Sequence, residues 1–290
     1  MAREIALLTN PTSGKGKGAR YRRAALPRLR DAGLVVRNLE GRNADEALDL
    51  AKASVADGVD ALVVCGGDGL VHLATQALAG TGVPLGIIPA GTGNDVARYF
   101  DLPRKDPVAA ADRVIGSRLR TIDLARSGSR HFVTVLAAGF DAIVNERANE
   151  MTWPRGQMRS NLATLVELRT FTPLPFTLDL DGTLLQRDAM LVAVGNGSSY
   201  GGGLRITEGA VLDDGLLDVV IINTMTKGKL IRTYPKLFSG THRDVPEYEH
   251  HRVRSVTVAA PGVVSYADGE RFGELPLTIT CEPGALRVFA

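Results

Sequence analysis

Three glycine-rich segments, each directly after a short apolar run, constrain the fold of this 290-residue chain more than any other feature. The segments lie at 10–14, 66–69 and 91–95, and they follow the apolar runs 5–9, 61–65 and 84–89. Helical spacing of apolar residues occupies 19–32, 44–56 and 71–79. Alternating strands and helices predict βαβ units and a parallel sheet. Ligands bind at the carboxyl ends of such strands, so we expect the three loops to share one site.

The composition of the loops is typical of phosphate binding. Glycine lets backbone N–H groups approach a phosphate closely, and a following helix adds the positive end of its dipole. Side-chain donors come from Thr12, Ser13, Thr92 and Asn94. Asp68 stands between two glycines, where its charge would repel phosphate unless Mg²⁺ lay between them. We therefore predict that Asp68 is a metal-linked or catalytic carboxylate.

Other interpretations of these motifs are weaker. Ordinary βα turns also use glycine, but three such loops at one sheet edge favour a nucleotide site. The first loop lacks the Ser or Thr that follows Lys in a Walker A motif, and it does not match the dinucleotide fingerprint. The segment 197–201 has the G-x-S-x-G pattern of hydrolases, yet a nucleophile elbow leads into a helix and this segment leads into further glycines.

From about residue 121 the pattern changes to short strands separated by turn residues. We expect strands at 121–125, 131–138, 177–180, 190–194, 216–222, 253–260, 264–267, 277–281 and 285–289. This predicts a mostly antiparallel β domain, with helical insertions near 140–171 and 227–238. The predicted fold class is thus α/β plus β, divided into domains 1–124 and 125–290.

Composition narrows the function and the location. The net charge of +2 argues against a nucleic-acid-binding protein, which would show a strongly basic domain. The two cysteines form no disulfide framework, which fits a reducing compartment. No apolar run approaches the roughly 18 residues that span a membrane. We expect a cytoplasmic protein whose membrane contact is peripheral, at the inner face. Its oligomeric state is not fixed, and a homodimer is one arrangement that the sequence allows.

Several motifs together resemble one family. Asn-Pro-Thr-Ser-Gly at 10–14, Gly-Gly-Asp-Gly at 66–69 and Pro-Ala-Gly-Thr-Gly-Asn-Asp at 89–95 resemble the diacylglycerol kinase catalytic domain, which sphingosine kinases and soluble bacterial lipid kinases share. In the second half, Tyr-Gly-Gly-Gly at 200–203 and Ala-Asp-Gly-Glu at 267–270 stand in the family's order. The resemblance implies a phosphofructokinase-like α/β domain, a C-terminal β-sandwich domain, and ATP in the cleft between them.

The resemblance also implies roles for individual residues. Glu270 matches the general base that takes the proton from the lipid hydroxyl, and Asp68 would link to Mg²⁺. The expected nucleotide-binding residues are Asn10, Pro11, Thr12, Ser13, Gly14, Gly66, Gly67, Asp68, Gly69, Thr92, Gly93 and Asn94. A structural Mg²⁺ is implied at an Asp-Asp-Gly turn, with the Asp214 carboxylate and the carbonyls of Val211 and Leu216 as ligands. A simple turn remains the alternative there.

The chain departs from the family at two places. Leu70, Val71, His72 and Leu73 stand where many members have Thr and then an Asn-Glu pair, and Gly41 stands where a Thr is usual. Polar contacts near the nucleotide are therefore lost. Basic residues that could meet anionic lipid headgroups are Lys15, Lys17, Arg20, Arg22, Arg23, Arg155, Arg159 and Arg169, for which a solvated basic face is an equal alternative.

The function expected from this evidence is an ATP- and Mg²⁺-dependent lipid kinase acting at a membrane surface, with diacylglycerol as the first candidate acceptor. Sphingosine or another lipid alcohol stays open, as does a lipid- or nucleotide-binding protein without turnover. NAD kinases share the Gly-Gly-Asp-Gly loop, but they do not explain the segments at 89–95 and 200–203.

Overall fold

The computed structural model describes residues 3–139 and 172–290. The strands of the first half are β1 (Glu4–Thr9), β2 (Val35–Leu39), β3 (Ala61–Gly66), β4 (Leu85–Pro89), β5 (Leu119–Ser127), β6 (Arg130–Phe132) and β7 (Val135–Gly139). The second half adds β8 (Leu174–Leu180), β9 (Thr183–Gly195), β10 (Leu217–Asn223), β11 (Tyr248–Val253), β12 (Ser255–Ala259), β13 (Val264–Ala267), β14 (Glu270–Glu274) and β15 (Leu277–Phe289). The described helices are α1 (Ser13–Asp31), α2 (Ala44–Ala56), α3 (Asp68–Leu78), α4 (Asp95–Tyr99), α5 (Pro107–Gly116) and α6 (Lys227–Ser239), followed by a 3₁₀ turn at Thr241–Asp244.

A parallel sheet with strand order β2-β1-β3-β4 organises the first half, as predicted. Strand β1 shows why both sheet faces are covered. Its residues Ile5 and Leu7 pack with α1 and α5, whereas Ala6 and Leu8 pack with α2 and α3. Strands buried on both faces carry near-continuous apolar runs, which explains the pattern read from the sequence.

The second half is antiparallel. Strands β8 and β9 form a hairpin that turns at Asp181-Gly182. Strand β9 also pairs with β7, which leads on to β13 and β14. The strand predicted at 253–260 is β12, but it begins only at Ser255. Val253 belongs to β11, a strand absent from the prediction, and β11 and β12 divide at Arg254 and pair with different neighbours. The two strands predicted at 277–281 and 285–289 are one strand, β15, with an irregular register between Glu282 and Leu286.

Strand β15 joins the two halves. It pairs antiparallel with β12 and β5, and near its end Val288 pairs parallel with Leu85 of β4. Hydrogen bonding therefore links the described strands into one continuous sheet. The predicted domain division after residue 124 falls inside β5 and stays a prediction.

The predicted helix at 227–238 is α6, whereas the insertion predicted at 140–171 lies outside the described residues. Within the described ranges, no helix is long and apolar enough to cross a bilayer.

The buried Asp123 connects β5 to the turn at Gly215 and to the irregular part of β15. Its carboxylate oxygens accept hydrogen bonds from the backbone N–H of Gly215, at 2.7 Å, and of Gly284, at 2.8 Å. We expect Asp123→Ala to lower the free energy of unfolding by about 2–4 kcal/mol, because two amides lose their acceptor inside the protein. The neighbouring surface ion pair supplies the control: Asp213→Ala removes a partner of Arg120 and should cost about 1 kcal/mol or less. Urea unfolding of both variants tests this, and equal losses would contradict it.

Candidate active site

The three predicted loops come together at the carboxyl ends of β1, β3 and β4. Backbone hydrogen bonds tie them to one another, from Asn10 N to Cys65 O at 3.1 Å and from Ala90 N to Gly66 O at 2.7 Å. The loops approach so closely that side chains are excluded. A Cβ on Gly91 would lie 2.5 Å from the Gly67 Cα, and a Cβ on Gly14 would lie 2.0 Å from a backbone oxygen of the third loop. These glycines are therefore required by backbone contact.

Asp68 is the residue on which two loops converge. It is the first residue of α3, and its carboxylate accepts hydrogen bonds from the backbone N–H groups of Asn94, at 2.7 Å, and Asp95, at 2.6 Å. Asn94 adopts the left-handed conformation (φ 54°, ψ 51°) that turns both amides toward Asp68. Its side chain closes the turn by bonding both the N–H and the carbonyl of Gly91 at 2.9 Å.

The Asp68 carboxyl group has an unusual electrostatic environment. Burial, together with the negative charge of Asp95, raises the pKa of Asp68 to about 6, although the two amide hydrogen bonds oppose this shift. A carboxylate held this way gains from a positive charge beside it. The position thus favours a cation.

Unpaired oxygens next to Asp68 fit a bound cation. Asp95 accepts a hydrogen bond from Gly202 N at 2.7 Å through Oδ2, while its buried Oδ1 has no partner. The buried hydroxyl of Tyr200 is also unpaired, and a cavity of about 10 Å³ separates these groups from Asp268. In the described part of the chain, no three acidic, histidine or cysteine side chains are arranged to hold a metal by themselves. Mg²⁺ commonly binds one or two carboxylates and completes its shell with substrate phosphates and water, which these residues permit.

Glu270 reaches the phosphate loops from the second half of the chain. It begins β14, just after the tight turn at Asp268-Gly269, where both residues have positive φ (53° and 87°). A Cβ on Gly69 would lie 2.6 Å from Glu270 Oε1, so the carboxylate sits directly over the second loop. The predicted acid and base, Asp68 and Glu270, thus flank the same loop.

A buried hydrogen-bond network holds the turn that carries Glu270. The Asp268 carboxylate accepts hydrogen bonds from Val133 N, Thr134 N, Thr134 Oγ1 and His72 Nδ1, all between 2.7 and 3.0 Å. Burial alone would raise the pKa of Asp268, but the donors, His72 first, together hold that pKa below its ordinary value. Because the acceptor is an ionised carboxylate, the Nδ1 of His72 carries the proton.

A cleft of about 1030 Å³ opens beside these groups. Predicted residues that line it are Asn10, Pro11, Thr12, Ser13, Gly67, Gly69 and Glu270. Within the first loop, the Asn10 side chain accepts hydrogen bonds from the backbone and hydroxyl of Thr12 at 3.1 and 2.8 Å. The other predicted nucleotide-binding residues are not among those that line the cleft: Gly14, Gly66, Asp68, Thr92, Gly93 and Asn94. Their role as nucleotide ligands stays a prediction.

The predicted structural metal ligands lie elsewhere. The Asp214 carboxylate accepts hydrogen bonds from Leu216 N, at 3.1 Å, and from the Arg252 guanidinium, while Val211 is partly exposed nearby. A cation at this turn would have to displace the arginine. These residues as they stand fit a salt bridge better than a metal.

The structure gives a physical reason for the unusual residues at position 41 and in the segment 70–73. A Cβ on Gly41 would lie 2.5 Å from the backbone nitrogen of Ala47, so the loop passes too close to α2 for a threonine. Leu70 is buried beneath Gly66. His72 supplies a donor to Asp268, a role that the sequence alone did not indicate.

Comparisons with known proteins agree with this geometry. Residues 4–127 match the diacylglycerol kinase catalytic domain, and residues 134–290 match the YegS C-terminal NAD kinase beta sandwich-like domain. A diacylglycerol kinase of Mycobacterium tuberculosis is 46% identical, the alignment covering 98% of this chain and 94% of the relative. A diacylglycerol kinase of Bacillus subtilis is 27% identical over 93% of this chain and 90% of its own length.

The chain belongs to the diacylglycerol kinase family. It is a kinase of this family, and its predicted fold class, an α/β domain followed by a β-sandwich domain, is confirmed.

Solved structures of the family have the same fold. A diacylglycerol kinase from Bacillus anthracis superposes with a TM-score of 0.81 at 25% identity, covering 99% of this chain and 96% of that one. An NAD kinase from Archaeoglobus fulgidus, solved with ATP, gives a TM-score of 0.55 at 16% identity, covering 99% and 93%, and shares the fold alone.

We expect His72→Leu to lower kcat about tenfold or more with little change in KM for ATP. The substitution removes the hydrogen bond from His72 to the Asp268 carboxylate, which holds the turn before Glu270. Glu270 is therefore displaced while the phosphate loops stay intact. His72→Asn keeps a donor and should recover most of the activity. Steady-state kinetics at varied ATP test both variants. If His72→Leu and His72→Asn lost kcat equally, or if only KM changed, His72 would not be the residue that positions Glu270.

The raised pKa of Asp68 predicts a pH-dependent response to Mg²⁺. The pKa of Asp68 is higher in the folded protein than in the unfolded chain. Ionisation of Asp68 therefore lowers the stability of the folded protein as pH rises through about 6, and a bound cation restores that stability. We expect Mg²⁺ with ADP to raise Tm more at about pH 8 than at about pH 5. The difference between the Tm increases at the two pH values should shrink in Asp68→Asn. It should persist in Asp31→Asn, a control at the exposed end of α1. Thermal unfolding measures it, and an unchanged difference in Asp68→Asn would exclude Asp68 as the responding group.

Proposed function

We propose that this kinase transfers the γ-phosphoryl group of ATP to the hydroxyl of a membrane lipid, most directly diacylglycerol, to give phosphatidic acid. The observation that carries the proposal is the position of Glu270 over the phosphate loop at Gly69. The names of the relatives supply the acceptor class. We further propose that the enzyme is cytoplasmic and meets its lipid at the inner membrane face without crossing the membrane.

The loops provide what phosphoryl transfer requires. Little covalent chemistry falls to the protein in this reaction, which depends on positioning and on charge stabilisation. Residues of the loops at 10–14 and 66–69 line the cleft where the phosphates would lie. The dipole of α3, whose first residue is Asp68, adds positive potential at the same point. When bound, Mg²⁺ would be held by Asp68 and Asp95 and would neutralise phosphate charge.

Glu270 has the position of a general base. Its carboxylate would accept the proton of the lipid hydroxyl as that oxygen bonds to the γ-phosphorus and the bond to the leaving ADP breaks. Arg130 stabilises the strand that carries this base. Its guanidinium donates to the carbonyls of Arg271 and Phe272 and lies 4.4 Å from the centre of the Phe272 ring. Together with the His72–Asp268 pair, this contact holds Glu270 from both sides of the turn.

Labelled ATP with a detergent-dispersed lipid panel tests the proposal. The panel contains diacylglycerol, sphingosine, monoacylglycerol and a total lipid extract. We expect a labelled phosphatidic acid product from wild type and a loss of about 10²–10⁴ in kcat for Glu270→Gln. Asp68→Asn should lose activity as well. Glu274→Gln, an exposed residue at the other end of β14, is the matched control and should keep activity.

The alternatives give different results. Labelling of sphingosine or of a component of the extract, without diacylglycerol, would reassign the acceptor. ATP binding without turnover on any lipid would favour the non-catalytic binding protein. Full activity of Glu270→Gln would exclude Glu270 as the base.

A further inference from the structure

Helix α6 (Lys227–Ser239) presents an apolar stripe to solvent. Thr226 caps its start by accepting a hydrogen bond from Lys229 N, and Gly240 ends it in the left-handed conformation. Its inner side buries Leu230 and Leu237 against the sheet. On the outer side, Ile231 and Phe238 are 51% and 47% exposed.

Cations surround this stripe. At helical spacing, Ile231, Pro235 and Phe238 form one line, Arg232 and Lys236 follow one flank, and Lys227 begins the other. The segment 224–246 contains five basic residues, Lys227, Lys229, Arg232, Lys236 and Arg243, against the single acid Asp244, whereas the whole chain has a net charge of only +2. Lys229 points inward and pairs with Glu247 at 2.6 Å. The outer face is therefore apolar at its centre and positive at its edges.

Such a face matches an anionic bilayer surface. Helices that lie in a membrane interface insert large apolar side chains between lipids while Lys and Arg on either side contact anionic headgroups. The basic residues of α1 have no apolar side chains beside them that could insert between lipids: among the described residues, no large apolar side chain of α1 is exposed. Charge and apolar exposure coincide on α6.

The helix is directly connected to the active site. Arg205 N donates to Leu237 O at 2.8 Å, which connects the end of α6 to the chain just after the Tyr-Gly-Gly-Gly segment. Within that segment, three residues before Arg205, Gly202 N donates to Asp95 beside the phosphate loops. A membrane docked on the outer face of α6 would therefore be one helix away from the segment that contacts Asp95.

We propose that the outer face of α6, formed by Lys227, Ile231, Arg232, Pro235, Lys236 and Phe238, docks the protein onto anionic phospholipid bilayers. This proposal deepens the proposed function, because it names the surface that brings the kinase to its lipid.

Co-flotation with vesicles tests the proposal without ATP or diacylglycerol. Wild type should bind vesicles of equal phosphatidylcholine and phosphatidylglycerol, bind pure phosphatidylcholine weakly, and dissociate at high salt. Arg232→Glu with Lys236→Glu, and separately Ile231→Ser with Phe238→Ser, should lower the affinity about tenfold or more. The matched controls, Arg20→Glu with Arg23→Glu and the highly exposed Leu184→Ser, should bind like wild type.

Two results would overturn the proposal. One is unchanged vesicle binding by both α6 variants, or a loss that occurs only in the α1 control. The other is a change in the sedimentation coefficient of the α6 variants without vesicles, which would make this face an interface between two copies.

Detergent assays separate this proposal from the proposed function. The α6 variants should phosphorylate detergent-dispersed lipid at the wild-type rate, since the bilayer step is bypassed. If wild type floats with vesicles but phosphorylates no lipid in detergent, the kinase proposal fails while the docking surface stands.

Discussion

The contact on which the site depends is the pair of hydrogen bonds from Asn94 N and Asp95 N to the Asp68 carboxylate. It fixes the loop after β4 against the start of α3, and it requires the left-handed turn at Asn94. That turn directs the Asp95 side chain toward Gly202, from the second half of the chain. The Asp68 carboxylate therefore sets the spacing of two phosphate loops, and the neighbouring Asp95 connects them to the second half of the chain. The arrangement is costly because Asp68 is buried and is repelled by Asp95, and a bound cation would relieve that cost.

Local pattern was sufficient to predict the parallel half of the fold. Short apolar runs such as 61–65 are typical of central strands buried on both faces, and glycine after each run marks the edge where ligands bind. The antiparallel half was harder. The run at 253–260 reads as one strand because Arg254, where the chain changes neighbours, has no turn signal around it. Conversely, Pro283-Gly284 reads as a turn but is an irregularity within β15, bridged by the buried Asp123.

The motifs of the site could be predicted, but the hydrogen bonds between distant residues could not. The glycine-rich phosphate-binding loops, one with an acidic residue between glycines, identified Asp68, and the family resemblance identified Glu270. The pairing of His72 with Asp268 joins residues 196 positions apart, and no local pattern encodes such a contact. The role of Asp95 was missed for a related reason. Its partner Gly202 is distant in the sequence and lies in a glycine run, which by itself indicates only a turn. The conflict between Arg252 and the predicted metal at Asp214 likewise depends on which strands are neighbours.

Strand β15 has a consequence for how the protein is made. The segment 277–289 pairs with β5, β12 and β4, so the sheet that supports the phosphate loops is incomplete until that segment has been synthesised. N-terminal domains commonly fold first while the ribosome is still extending the chain. Here the edge of β4 has no partner until β15 has been translated, although the nucleotide loops are translated well before it. The sheet beneath the phosphate loops therefore reaches its full pairing only through a strand from the second half of the chain.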